Sequence, residues 1–262
     1  MGAATARRLA PQEMPGAANL LLTHLVAAVE KADVCDEPYS HVYIENVFPA
    51  DFYRQILRSL PEPSYYSPQN IKVWVRPNGE STRDRMFLTE EAVRRFPPEQ
   101  QAVWQAVSTA LTHNALKRVL FRKLARDLAL RFGMPEDQVD GITSFPRMVL
   151  LRDTEQYRIK PHPDGLETIV TMQFYFPEDL SQERLGTSLY RQRSPWSALL
   201  NGGQKFEEVK RFPFRPNSAY AFVVNNRKGK KSWHGVELVP GGVGVRNTLL
   251  NRYMASETDA AY

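Results

Sequence analysis

Lys160-Pro-His-Pro-Asp-Gly165, followed shortly by Thr168-Ile-Val-Thr-Met-Gln-Phe-Tyr-Phe176, governs how the rest of this chain is read. The second run is β-branched and aromatic and predicts a strand. Just before it, an imidazole and a carboxylate stand two positions apart. In an extended segment that spacing puts both on one side, where they can hold one metal ion. Pro161, Pro163 and Gly165 would equally suit a plain turn, so a third ligand has to decide. Ser232-Trp-His-Gly-Val-Glu-Leu238 offers one, because His234 lies in a strand-like run that a neighbouring strand can bring alongside. Taken by itself, His234 reads as a hydrogen-bonded core histidine.

Two imidazoles and one carboxylate on one side of a metal leave other positions open, as non-haem Fe(II) oxygen chemistry requires. Zinc accepts the same donors. A second signal favours iron: Arg246, twelve positions after His234, opens Arg246-Asn-Thr248 in the next predicted strand. Arg246 and Thr248 then share a face and can clamp a carboxylate.

Outward from these motifs, the C-terminal half breaks into short strands separated by Pro, Gly and Asn. They are predicted over 147–152, 168–176, 187–191, 206–209, 219–224, 232–238 and 246–254, a spacing that suggests a sandwich or jelly roll. Upstream, apolar periodicity predicts helices over 19–31, 50–60 and 98–132, the last broken near 112–115, with strands over 41–48 and 71–75. The expected organisation is a single domain over 1–262. It has a flexible leader at 1–18, a helix-rich part at 19–141 and a jelly-roll catalytic core at 142–255.

The 262 residues are 42% hydrophobic and 24% charged, ordinary values for a globular protein. No apolar run approaches the roughly 18 residues of a membrane span. The net charge of +5 is spread along the chain, which gives nucleic-acid binding little support. The one dense cluster, Arg227, Lys228, Lys230 and Lys231 around Gly229, reads as a solvated hairpin tip. Cys35 stands alone, excluding an internal disulfide and a cysteine-based zinc site. That fits a reducing cytoplasm, the expected location, as does the lack of a secretory-signal pattern in 1–15.

The ordered set His162, Asp164, His234, Arg246 and Thr248 resembles the 2-oxoglutarate/Fe(II)-dependent oxygenase superfamily. Its pattern is His-x-Asp, a distal His, then Arg-x-Ser or Arg-x-Thr. Pro38-Tyr-Ser-His-Val-Tyr-Ile-Glu-Asn-Val-Phe48 and Gly186-Thr-Ser-Leu-Tyr190 extend the likeness, which covers 38–253. The resemblance implies a mainly β fold, a double-stranded β-helix of cupin-like jelly-roll form, with N-terminal helices packed on it. It implies Fe(II) on His162, Asp164 and His234, 2-oxoglutarate chelating the metal with its distal carboxylate on Arg246 and Thr248, and O2 as second cosubstrate. Tyr157 and Gln173 are candidates for further hydrogen bonds to 2-oxoglutarate.

Such an enzyme is expected to hydroxylate an unactivated carbon, releasing succinate and CO2. Because Asp164 is present, hydroxylation, or a related desaturation or ring closure, is preferred to halogenation. The expected substrate is a small or medium polar molecule, and Arg158, Lys160, Arg191 and Arg193 tilt the reading toward one bearing carboxylate or phosphate. The alternatives are a hydroxylase of protein side chains, and a cupin-like binding protein or zinc hydrolase using the same ligands. Arg252 shares the Arg246 face by parity; it reads as a surface arginine, with a substrate contact as the other option.

Overall fold

The computed structural model describes residues 16–227 and 230–260. The leader expected at 1–15, and Lys228 and Gly229 of the basic tip, lie outside them. Residues 16–18 of the expected leader already belong to the first helix. The helices are α1 (Gly16–Lys31), α2 (Ala50–Arg58), α3 (Glu90–Arg94), α4 (Pro98–Thr112), α5 (Asn114–Lys123), α6 (Ala125–Phe132), α7 (Pro195–Leu200) and α8 (Glu257–Ala260). The strands are β1 (Val34–Cys35), β2 (His41–Glu45), β3 (Ser67–Pro68), β4 (Arg83–Phe87), β5 (Phe145–Asp153), β6 (Ile159–His162), β7 (Thr168–Tyr175), β8 (Thr187–Gln192), β9 (Phe206–Arg211), β10 (Ser218–Val223), β11 (Asn226–Arg227), β12 (Lys230–Lys231), β13 (His234–Val236) and β14 (Arg246–Met254).

An eight-stranded sheet runs in the order β1-β2-β10-β7-β14-β5-β4-β3, and a four-stranded sheet in the order β6-β13-β8-β9. The strand pairs are antiparallel. Alternation along the central strands builds two apolar layers. Met172, Phe174, Leu249 and Tyr253 join one cluster with Leu25 of α1, Trp104 of α4 and Leu120 of α5. Tyr175, Tyr220 and Phe222 join a second with Leu189 and Val236 of the smaller sheet. Every residue of β7 is buried, because helices cover one of its faces and the smaller sheet the other. Each large side chain so buried contributes about 1.5–3 kcal/mol. This is a jelly roll with helices on its outer face, as the resemblance implied.

The helical run expected over 98–132 breaks at His113, whose Nδ1 accepts the Ala115 N–H, and again at Leu124. The strand expected over 71–75 is instead a tight turn at Lys72–Trp74. Val75 keeps only an isolated bridge to Ser81, since Pro77 and Gly79 reverse the chain directly after it. β4 has no counterpart in the sequence reading. Arg83-Asp-Arg-Met-Phe87 is too charged to show apolar alternation, yet it pairs along β5 from Arg83↔Asp153 to Phe87↔Val149.

Gly186 fixes how the chain enters β8: a Cβ there would sit 1.6 Å from the Phe212 carbonyl oxygen. Gly186→Ala must therefore push two backbones apart. It is expected to cost about 2–3 kcal/mol, read as a lower urea midpoint at unchanged slope.

Candidate active site

β6 and β13 pair with His162 opposite His234, which sets the two rings 4.4 Å apart. The approach requires Gly235, since a Cβ there would lie 2.6 Å from the Ile159 carbonyl oxygen. Asp164 follows β6 directly. Its Oδ1 lies 3.8 Å from His162 Nε2 and 3.7 Å from His234 Nε2, and one donor atom from each residue falls within 4.8 Å of the others.

The surroundings leave these three atoms available. His162 Nδ1 faces the Lys160 carbonyl at 3.1 Å and His234 Nδ1 the Ser232 carbonyl at 2.9 Å. Each carbonyl can only accept, so the proton sits on Nδ1 and the Nε2 lone pair points inward. Thr171 donates its hydroxyl to Asp164 Oδ2 at 2.8 Å, which leaves Oδ1 for a metal. Burial and the neighbouring His234 push the His162 pKa down to about 4, so that ring is neutral at neutral pH. Burial raises the Asp164 pKa, but His234, His162, the Thr171 hydroxyl and Arg252 outweigh it and hold the carboxyl below its usual range. Two imidazole Nε2 atoms beside an ionised carboxylate suit a divalent cation.

Deeper between the sheets, three strands place Arg83, Asp153 and Arg246 side by side in register. Arg246 and Asp153 are wholly buried and the Arg83 side chain is 12% exposed. Arg83 Nε donates to Asp153 Oδ1 at 2.6 Å, and Arg246 Nη1 to Asp153 Oδ2 at 2.7 Å. Arg246 Nε donates to the Leu185 carbonyl at 2.7 Å, and its guanidinium lies over the rings of Phe214 and Tyr175. Its Nη2 is buried without a hydrogen-bond partner among the described residues. Two guanidiniums share one carboxylate, so the row carries one uncompensated positive charge and one unused donor. Buried charge in that state calls for an anion.

Thr248, two positions along the same face, accepts from Gln173 Nε2 at 2.8 Å. The Gln173 carbonyl accepts from the Tyr220 hydroxyl. With its acceptor side used in this way, the Thr248 hydroxyl keeps its proton to donate. The Tyr157 hydroxyl is buried without a hydrogen-bond partner among the described residues, and its ring lies under the Arg83 guanidinium at 4.2 Å. The residues singled out in the sequence thus meet in one interior. Gln173 reaches it through Thr248, and Tyr157 by its own hydroxyl.

Sequence reasoning missed Arg83 and Asp153. Asp153 falls one residue beyond the strand predicted over 147–152, and Arg83 sits in an unpredicted strand. Of the basic residues expected at the mouth, Arg191 and Arg193 line a separate cavity of about 610 Å³ with Tyr190, Lys230, Lys231 and Trp233, and none of the three metal-site residues borders it. Asp153→Asn would leave two guanidiniums without their anion. It is expected to cost about 3–5 kcal/mol, measured by chemical denaturation.

Among the described residues no helix is long and apolar enough to cross a membrane. No family model matches the chain, and no curated protein does. Solved structures do resemble it. The dioxygenase for auxin oxidation 1 of Arabidopsis thaliana, solved with 2-oxoglutarate, is 12% identical, with 94% of this chain and 92% of that one covered at a TM-score of 0.50. A Pseudomonas putida prolyl-4-hydroxylase is 12% identical over 90% of this chain and 100% of its own, at 0.47. An oxidoreductase of the 2OG-Fe(II) oxygenase family from Burkholderia pseudomallei is 11% identical over 93% of each, at 0.46. Likeness at this identity speaks for the fold: the chain has the jelly-roll fold of the 2-oxoglutarate/Fe(II) oxygenases, the superfamily its sequence resembles.

Proposed function

We propose that this chain is a 2-oxoglutarate-dependent non-haem iron dioxygenase, with its chemistry in residues 142–255. It hydroxylates an unactivated carbon of a small or medium polar molecule and releases succinate and CO2. The observation that carries the reading is the unpaired, wholly buried Arg246 Nη2 in the same interior as three convergent metal donors. A zinc hydrolase or a binding protein needs the donors but has no use for a buried cation awaiting a carboxylate.

His162 Nε2, Asp164 Oδ1 and His234 Nε2 would hold the metal. When bound, Fe(II) supplies the redox chemistry that couples O2 reduction and 2-oxoglutarate decarboxylation to oxidation of the substrate. This chain's residues bind and orient. Arg246 Nη2 takes the distal carboxylate of 2-oxoglutarate, neutralising the excess charge of the Arg83–Asp153–Arg246 row, and Thr248 donates its hydroxyl proton to the same group. Gln173 and Tyr220 fix the Thr248 rotor, and the Tyr157 hydroxyl is a further donor within the pocket. The buried apolar layer of Tyr39, Phe222 and Leu189 excludes water, which strengthens each charged contact.

Adding Fe(II) and 2-oxoglutarate to the protein without oxygen should produce a weak visible metal-to-ligand absorption, and admitting oxygen should yield succinate. His162→Ala or Asp164→Ala should abolish both in a folded protein. Thr248→Val should raise the 2-oxoglutarate requirement about tenfold, the loss of one hydrogen bond to a charged group. Folded, iron-loaded protein that gives neither absorption nor succinate would overturn the proposal.

A further inference from the structure

Both halves of the candidate metal site are tied to one side chain that stands outside it. Arg131, in the last turn of α6, reaches the edge where β7 and β10 part, just past their final register pair, Val170 and Val223. Its Nη1 donates to the Thr168 carbonyl at 2.7 Å and to the Val224 carbonyl, and its Nη2 to the Leu166 carbonyl at 2.6 Å. One guanidinium therefore holds the chain entering β7 and the chain leaving β10.

Each of these segments runs on to a metal donor. Leu166 follows Asp164 by two residues, and Thr168 opens β7, whose Thr171 hydroxyl holds Asp164 Oδ2. On the other side, Val224 leads to Asn225, whose carbonyl accepts from the Ser232 N–H at 2.7 Å and whose N–H donates to Ser232 Oγ at 2.8 Å. The Ser232 hydroxyl donates in turn to the Val223 carbonyl at 2.6 Å. The Ser232 carbonyl is the acceptor that fixes His234 Nδ1. The path from Arg131 to Asp164 thus runs through Leu166 and Thr168, and the path to His234 through Val224 and Ser232.

Helix α6 is itself held in place. Asp127, one turn before Arg131 on the same helix face, is wholly buried. Its Oδ2 accepts from the Ser40 N–H at 2.7 Å and its Oδ1 from Lys230 Nζ on β12. The Ser40 carbonyl accepts from the Val223 N–H at 3.2 Å, which closes the frame onto β10. The loop after Asp164 has looser ties of its own. Thr168 N–H donates to the Gly165 carbonyl at 3.1 Å and Ala255 N–H to the Glu167 carbonyl at 2.7 Å, while the Leu166 side chain is exposed.

We propose, on the strength of the metal assignment made above, that Arg131 is a positioning residue of the metal site, a bracket that sets Asp164 against His234 from behind. The donors of a guanidinium project in one fixed plane, so a single side chain can hold several carbonyls at set separations; an ammonium is a point and cannot. Metal affinity depends on donor placement to within a few tenths of an ångström, so loosening the bracket weakens binding as well as stability.

The test titrates the full chain with Co(II) without oxygen, because the visible absorption of bound Co(II) reports coordination geometry independently of turnover. Arg131→Met keeps the stem and removes the guanidinium. It should weaken Co(II) binding about tenfold and change the shape of the band. Arg131→Lys keeps the charge and one anchor, which favours folding, and should still bind several-fold more weakly than wild type. Lys123→Met is the control, since Lys123 Nζ donates to the Ala32 carbonyl at 2.9 Å and ties α5 to the end of α1. It should lower the urea midpoint and leave Co(II) binding within about twofold.

Arg131→Lys that binds Co(II) as wild type does, or Arg131→Met that loses no more affinity than Lys123→Met, overturns the positioning role. Wild type that binds Co(II) but releases no succinate with Fe(II), 2-oxoglutarate and oxygen overturns the oxygenase reading alone. Wild type that binds no Co(II) overturns the metal assignment and the positioning role together.

Discussion

The Asp153 carboxylate, held between the guanidiniums of Arg83 and Arg246, is the contact from which the register of the larger sheet and the chemistry of the site both follow. It ties β4, β5 and β14 at one level. Because side chains alternate across a strand, a slip of one residue in either pair would carry a charged group to the helix-covered face, where Leu150 and Leu249 belong. The cost of burying an unpaired charge there is far greater than any gain from a slipped ladder. The ionic row therefore specifies the alignment that brings Arg246 to the depth of the metal donors.

That row is not built for stability alone. A matched pair would satisfy the sheet, whereas three charged groups leave one positive charge and one unused Nη2. Strain of this kind is carried by the surrounding packing: Phe214 and Tyr175, their rings in contact with each other, both lie against the guanidinium, and the Leu185 carbonyl holds Nε. The core that bears the cost lies on the other face of the same strands. Met172 and Phe174 alternate with Thr171, Gln173 and Tyr175 along β7, so one segment contributes helix-facing core and site wall together. Functional residues on sheet strands rather than loops gain positional accuracy from this arrangement.

How much of this could be read from the sequence depends on whether local spacing carries the information. His162 and Asp164 lie two apart in an extended segment, and Arg246 and Thr248 repeat that spacing, so each pair announces a shared face without any knowledge of tertiary structure. His234 gained its meaning only from order along the chain. Asp153 and Arg83 gave no such signal. Each is a charged residue at a strand end with a turn beside it, and their partnership spans 70 positions of sequence. The segment Arg83–Phe87 hides its strand for the same reason: Arg83, Asp84 and Arg85 open it with consecutive charges, and alternation of apolar with polar is the signal that a strand normally shows. The strand expected over 71–75 failed in the opposite sense, with apolar residues that the following Pro77 and Gly79 fold back into a turn.

Arg252 shows where parity and base rate part company. Parity put it on the face of Arg246, while the usual fate of a strand arginine is solvent, and only the register with Thr171 decides between them by tying it to Asp164. The inner face then carries charge at both ends, the Arg83–Asp153–Arg246 row at one and Arg252 beside Asp164 at the other, with Leu250 and Val149 between. That end charge sits where it favours the ionised form of Asp164, so an arginine that parity alone leaves ambiguous supports the carboxylate of the candidate metal site.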